Sequence, residues 1–134
     1  MLRFSEAANL AIHAMAHMIS LPPGKYASAG TLAEILASSP SHLAKVLNGL
    51  AHKDLLISSR GAKGGFRLPE NGAEISTLQI IQAVDGPLPE ASCLLGRPIC
   101  RQSTCAFQDL FAECRERIVT RLQEVRLVDI AKHA

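Results

Sequence analysis

Along residues 5–20 the apolar positions recur every three or four residues. Ala7, Leu10, Ala11, Ala14, Met15 and Met18 share one face, and Glu6, Asn9, His13 and His17 recur on another. That period predicts an amphipathic helix, with Ser5 as its N-cap. The segment LPPGKYAS, residues 21–28, breaks it. A second helix is expected from Thr31 to Ala37, with Thr31 as cap and Glu34 completing a capping box. SSP, residues 38–40, reads as a turn. Pro40 or Ser41 then opens a third helix that points Leu43, Val46, Leu47 and Leu50 inward. Two short helices joined by a tight turn outline a helix-turn-helix.

The pattern then changes. Ile57 and Ser58 suggest a strand, RGAKGG (60–65) a Gly-rich turn, and FRL a returning strand. STLQIIQAVD, residues 76–85, has the look of a short capped helix. SCLLGRPICRQSTC, residues 92–105, is a loop by its Gly, Pro, Ser and Thr content. The longest helix is expected from Ala106 to about Val125, with Phe107, Leu110, Phe111, Cys114, Ile118, Leu122 and Val125 on one stripe. No internal repeat or low-complexity segment occurs. The expected fold is mainly α with a small β-hairpin wing: a winged helix-turn-helix plus a long C-terminal dimerisation helix. The expected division is residues 1–85 for the winged-helix domain, 86–105 for the cysteine-bearing loop, and 106–134 for the dimerisation helix and C-terminal tail.

Composition agrees with helices. Apolar residues make up 48% of the 134 but aromatics only 4%, so the core must be aliphatic. The length suits one domain, or a small domain with a helical appendage. No run of ~18 apolar residues is present, so no membrane span and no membrane partner is expected. The start lacks a signal peptide's basic region, unbroken apolar run and cleavage site, which makes the expected location cytoplasmic. In a reducing cytosol clustered cysteines bind metal or sense redox more often than they form a disulfide framework.

The formal net charge is only +2, so nucleic-acid binding has to rest on a local patch. Between Ser41 and Arg67 there are five cations, at 45, 53, 60, 63 and 67, against one acid, Asp54. His42 and His52 add charge when protonated. A protein on DNA spends half or more of its hydrogen bonds on phosphate and sugar. Major-groove reading needs short polar residues near the start of a helix. Ser39, Ser41, His42, Lys45 and Asn48 meet that need on the third helix. Arg60, Lys63 and Arg67 place three cations on the hairpin, whose glycines let a backbone approach phosphates closely. Each piece alone is common in small domains; the order helix, turn, helix, basic hairpin is far more specific.

At these residues the chain resembles a known family. TLAEILASSPSHLAKVLNGLAHKDLLISSRGAKGGFRL, DGPLPEASC and the three-cysteine loop are similar to the IscR/NsrR family of winged-helix transcriptional regulators, and the likeness runs from FSEAANLAI to the C-terminal helix. The resemblance implies a homodimer on a double-stranded DNA operator, an imperfect palindrome, and a C-terminal helix that crosses the partner subunit. The stripe from Phe107 to Val125 is too apolar for a lone solvated helix and agrees with that.

Cys93, Cys100 and Cys105 are separated by six and then four residues. A disulfide, zinc, an iron–sulfur cluster or nothing at all can hold such a loop. There is no C-x-x-C pair of the zinc kind, and three loop thiolates with a fourth ligand from elsewhere suit a cluster better. The resemblance points the same way: many members hold a cluster on three such cysteines, spaced closer to five and five. Three thiols favour 4Fe–4S. For the fourth ligand, some relatives use a His three residues past the last cysteine, where this chain has Gln108. Others use a carboxylate on the partner's first helix, where Asn9 stands here; two-iron members use a His one turn later, which is His13 and keeps 2Fe–2S open. Glu6 lies one turn before Asn9. Glu6 and His13 therefore rank ahead of Asn9. Cys114, on the apolar stripe, is expected to be buried as a small hydrophobe.

The leading expectation is a homodimeric repressor whose DNA affinity is switched by an iron–sulfur cluster. The alternative is a metal-free winged-helix regulator controlled by thiol oxidation or a protein partner. An enzyme is not expected: no H-E-x-x-H, C-x-x-C or Ser/His/Asp arrangement is present, and none of His13, His17, His42 and His52 lies beside a cysteine.

Overall fold

The structure is a computed structural model of the 134-residue chain, and it describes residues 3–90, 93–95, 97, 99–101 and 104–133. Of the cysteine loop, Ser92, Gly96, Pro98, Gln102 and Ser103 lie outside the described residues. Helix α1 spans Glu6–Met18 and runs through the centre of the fold. Ser5 caps it, its hydroxyl accepting from the Ala8 N–H at 3.0 Å. Ala8, Ala11, Ala14 and Met15 are fully buried. Three alanines on the buried stripe leave room for neighbouring helices to approach α1 closely, which suits a core poor in aromatics.

Helices α2 (Ala29–Leu36) and α3 (Pro40–His52) form the helix-turn-helix. Helix α2 starts two residues earlier than Thr31, because Ser28 rather than Thr31 is the cap. The Ser28 hydroxyl accepts from the Thr31 N–H at 3.1 Å and donates to the Thr31 hydroxyl, and this cap replaces the expected box with Glu34. The turn is closed by Ala37 in the left-handed region, with the Ser38 N–H donating to the Ala33 carbonyl at 2.9 Å. Helix α3 opens at Pro40 with Ser39 as cap. It buries Leu43, Leu47 and Leu50 and half-buries Val46.

Strands β1 (Ile57–Ser59) and β2 (Gly65–Arg67) pair antiparallel, with Ser58 opposite Phe66. Ala27, between α1 and α2, bridges to Phe66 on the other side of β2. A 3-10 turn at Gly72–Glu74 leads to α4 (Thr77–Asp85), which has a complete capping box between Ser76 and Gln79. Helix α5 spans Gln108–Glu124. Its C-terminal half lies on α4, where Val119 and Leu122 pack against Leu78, Ile81 and Leu88. Its N-terminal half extends past the body. Of the expected stripe only Phe111 is buried, Ile118, Leu122 and Val125 are half-buried, and Phe107, Leu110 and Cys114 are exposed. Cys114 is thus exposed within the single chain, contrary to expectation: the burial at this end of α5 is on the Phe111 side of the helix.

Residues past Val125 are more than a tail. They form a short helix, α6 (Leu127–Ala131), whose Leu127 is fully buried in the main core. Backbone bonds fix it: Thr77 N–H to the Val125 carbonyl at 2.9 Å, and Leu127 N–H to the Ile75 carbonyl at 3.0 Å. No helix among the described residues is long and apolar enough to cross a membrane.

Candidate nucleic-acid interface and cysteine loop

The cap at Ser39 starts α3 so that its apolar positions face α1. Ser41, His42, Lys45 and Asn48 are thereby turned outward, and all four are exposed, as is Ser39. The Ser39 hydroxyl is engaged by the His42 N–H at 3.4 Å and by the Ser41 hydroxyl at 3.1 Å. The hairpin folds back along the same helix. Asn48 and His52 of α3 line one groove of about 280 Å³ with Ser58, Ser59 and Arg60 of the wing. Arg60 and Lys63 are exposed at the wing turn. Arg67 sits instead at the wing base, half-buried, with its guanidinium carbon 5.3 Å from the centre of the Tyr26 ring. The ion pairs among the described residues, Arg121–Glu124 and Lys132–Asp129, involve none of these cations. An unneutralised basic ridge beside an exposed polar helix face is what a phosphate backbone requires. Lys53 is different: its ammonium donates to the Ala83 carbonyl at 2.5 Å and so caps the end of α4.

Two wing glycines answer to the chain's own backbone. A Cβ on Gly64 would meet the Ser59 carbonyl oxygen at 2.3 Å, and one on Gly65, at φ +142°, would meet the Ala27 carbonyl oxygen at 2.3 Å. They are required for the hairpin to close and to pair with Ala27, whatever approaches from outside.

The three loop cysteines lie between α4 and α5. All are free thiols: Cys93 is half-buried, Cys100 and Cys105 are exposed. The structure does not bring them together, and among the described residues no group of three or more His, Cys, Asp or Glu is placed to hold a metal ion. None of the three stands in a helix or strand, so no regular structure opposes their gathering. Glu6, Asn9 and His13 are all exposed on α1. Of these, Glu6 lines a cavity of about 490 Å³ with Asp85, Gly86, Pro87, Leu88 and Pro89, the root of the loop.

That root is anchored by side chains that periodicity could not single out. The Asp85 carboxylate accepts from the Ser5 N–H at 3.0 Å and from the Ser5 hydroxyl. Arg115 Nε donates to the Pro89 carbonyl at 2.7 Å. With Lys53 on Ala83, the last turn of α4 joins α1, the end of α3 and the loop.

Comparison with known proteins agrees with this architecture. The profile of the Rrf2 family, described as an iron-dependent transcriptional regulator, matches residues 4–133. The chain belongs to the Rrf2 family. A Mycobacterium tuberculosis protein named as an HTH-type transcriptional regulator is 30% identical over 131 residues, which is 97% of this chain and 81% of that protein. CymR of B. subtilis, the global cysteine regulator, has a similar fold with TM-score 0.79 at 23% identity, covering 100% of this chain and 99% of that one. IscR of T. potens matches with TM-score 0.72 at 20% identity, covering 98% and 88%. The expected winged-helix fold is therefore that of an Rrf2 transcriptional regulator.

Proposed function

We propose that this Rrf2 protein is a cytoplasmic homodimer that represses transcription by binding an imperfectly palindromic DNA operator, and that its loop cysteines tune that binding. Ser41, His42, Lys45 and Asn48, started by the Ser39 cap, read the major groove. Arg60 and Lys63 hold the backbone beside it, with Arg67 at the wing base. The observation that carries this reading is the shared groove of Asn48 and Arg60, which lets helix and wing meet one duplex together. The working division is a DNA-binding part up to 85, the loop from 86 to 105, and a dimerising part beyond.

In the preferred form of the switch, Cys93, Cys100 and Cys105 hold an iron–sulfur cluster, 4Fe–4S in preference to 2Fe–2S, with Glu6, His13 or Asn9 as fourth ligand from the partner subunit. The donor set supports this: three unpaired thiols in one loop are the ligands such clusters take. Bound there, the cluster would supply iron whose bonds to the Cys93, Cys100 and Cys105 thiolates can form and break with redox state. The protein's own part is transmission. Loop strain reaches Asp85 and Pro89, passes to Ser5 of α1 and Arg115 of α5, and through Ala83 to Lys53 at the end of the recognition helix. A dimer must match half-sites one helical turn apart, so a small change in helix separation lowers affinity.

A second reading has its own observation. Exposed Cys100 and Cys105 suit reversible thiol oxidation without metal, and a further fold relative is the oxidized form of Staphylococcus aureus CymR. An absorption spectrum of protein purified without oxygen, with iron and sulfide assayed on the same sample, separates the two. The cluster form predicts a broad band near ~400 nm with matching iron and sulfide, lost in Cys100→Ser. A colourless protein, even after reconstitution, in which Cys100→Ser removes only the redox response, leaves the thiol form.

A further inference from the structure

The wing base carries a second feature, built around Arg67, a cation that the DNA-binding reading also counts. The Ala27 and Phe66 backbones exchange two hydrogen bonds of 2.8 Å, so Tyr26 stands directly opposite Arg67 across an antiparallel pair. Arg67 lies on the Tyr26 ring, and its Nε is buried without a hydrogen-bond partner. No carboxylate of the described residues pairs with it. One N–H of this half-buried guanidinium is thus withdrawn from water without an acceptor, which is costly, and the ring offsets only part of that cost.

Beside Arg67 opens a cavity of about 290 Å³, near the lower size limit of small-molecule sites. Part of its wall is apolar, from Met18, Ile19, Leu21, Pro22 and Pro69, and Asn71 adds a polar group. Lys25 supplies a second cation and no acid lines it. It shares no residue with the groove between α3 and the wing tip.

The geometry points to a binding site for a small organic carboxylate with a short apolar tail. The guanidinium fork takes the carboxylate, Lys25 adds a point charge, and the tail lies on the aliphatic walls. The site joins the α1–α2 segment to β2, so an occupant ties the wing base to the chain that leads into the helix-turn-helix. It is a second input to DNA affinity, independent of the cysteine loop.

Calorimetric titration of the full chain with propionate, isovalerate and inorganic phosphate, with neutral isovaleramide as control, tests this. Isovalerate binds one per chain with a Kd below about 1 mM, more tightly than propionate or phosphate, and the amide gives no saturable heat. Arg67→Met weakens binding by at least about tenfold, the loss expected for a charge-assisted bond. Lys25→Met, at an exposed position where folding is not at stake, weakens it less. Thermal melts of both variants report that they are folded. The inference is overturned if no carboxylate binds, if the amide or phosphate binds as well as isovalerate, or if both variants bind like the parent. It is also overturned if Arg67→Met only reduces the salt dependence of DNA binding, which marks Arg67 as a phosphate contact.

Discussion

Ala37 holds the helix-turn-helix together in a conformation its side chain disfavours. Its φ of 52° and ψ of 47° are left-handed, and a Cβ there costs about 1–2 kcal/mol. Ala37→Gly is expected to stabilise the protein by about 1 kcal/mol, raising Tm by roughly 3–5 °C in thermal denaturation. The turn itself was legible in Ser-Ser-Pro, but the residue that makes it was not, because Ala carries no signal for positive φ. Ser5 as a cap was legible, since a Ser before an apolar period has one plain use, whereas Ser39 read as part of the turn and as a base-edge contact. Thr31 misled for the same reason. Ser28, three residues ahead, has the same chemistry, and the Ala27–Phe66 pairing directs the chain so that Ser28 starts the helix.

Among the elements, α6 is short but anchors itself in the main core. Leu127 is fully buried against the core around α1, so Leu127→Ala is expected to cost about 2–5 kcal/mol in chemical denaturation, with no change in DNA contacts. Residues 126–133 show too few turns for a period; the contact with α1 and the bridge between Ser76 and Arg126 hold them in the fold. The wing makes a different prediction. Arg60→Ala is expected to weaken binding to all DNA sequences about equally and to lower the slope of log K against log salt by about 1. A wing that serves only as structure would leave that slope unchanged. The hairpin was readable from RGAKGGFRL, although two of its glycines turn out to serve backbone approach within the chain itself.

In the proposed dimer, α5 is the element that meets the partner. Phe107 and Leu110, 43% and 52% exposed, and Cys114 beside them form an apolar face that a monomer has little reason to keep. Leu110→Glu is expected to shift the protein from dimer to monomer in sedimentation and to abolish tight operator binding, since each half-site alone holds only one recognition helix. Thermal stability of the monomer should change little, because Leu110 is half exposed and belongs to neither core cluster of the described residues. The stripe itself was visible at helical spacing. Which half of it rests on α4 and which half projects was not, because both halves obey the same period.

The spacing of apolar residues was enough to establish six of the fold's working parts: α1, the helix-turn-helix pair, the hairpin, α4 and α5. Local chemistry suffices there, since a helix or a hairpin is specified by residues close in the chain. The three cysteines and the basic ridge were equally legible, being matters of residue type. What required the folded chain was every relation between distant segments. Asp85 on Ser5, Lys53 on Ala83, Tyr26 under Arg67 and Leu127 beneath α1 join residues 30 to more than 100 positions apart, and no local pattern encodes such pairs. They form because packing of the aliphatic core fixes the separation of the helices, and polar groups then bond to whatever that packing sets beside them.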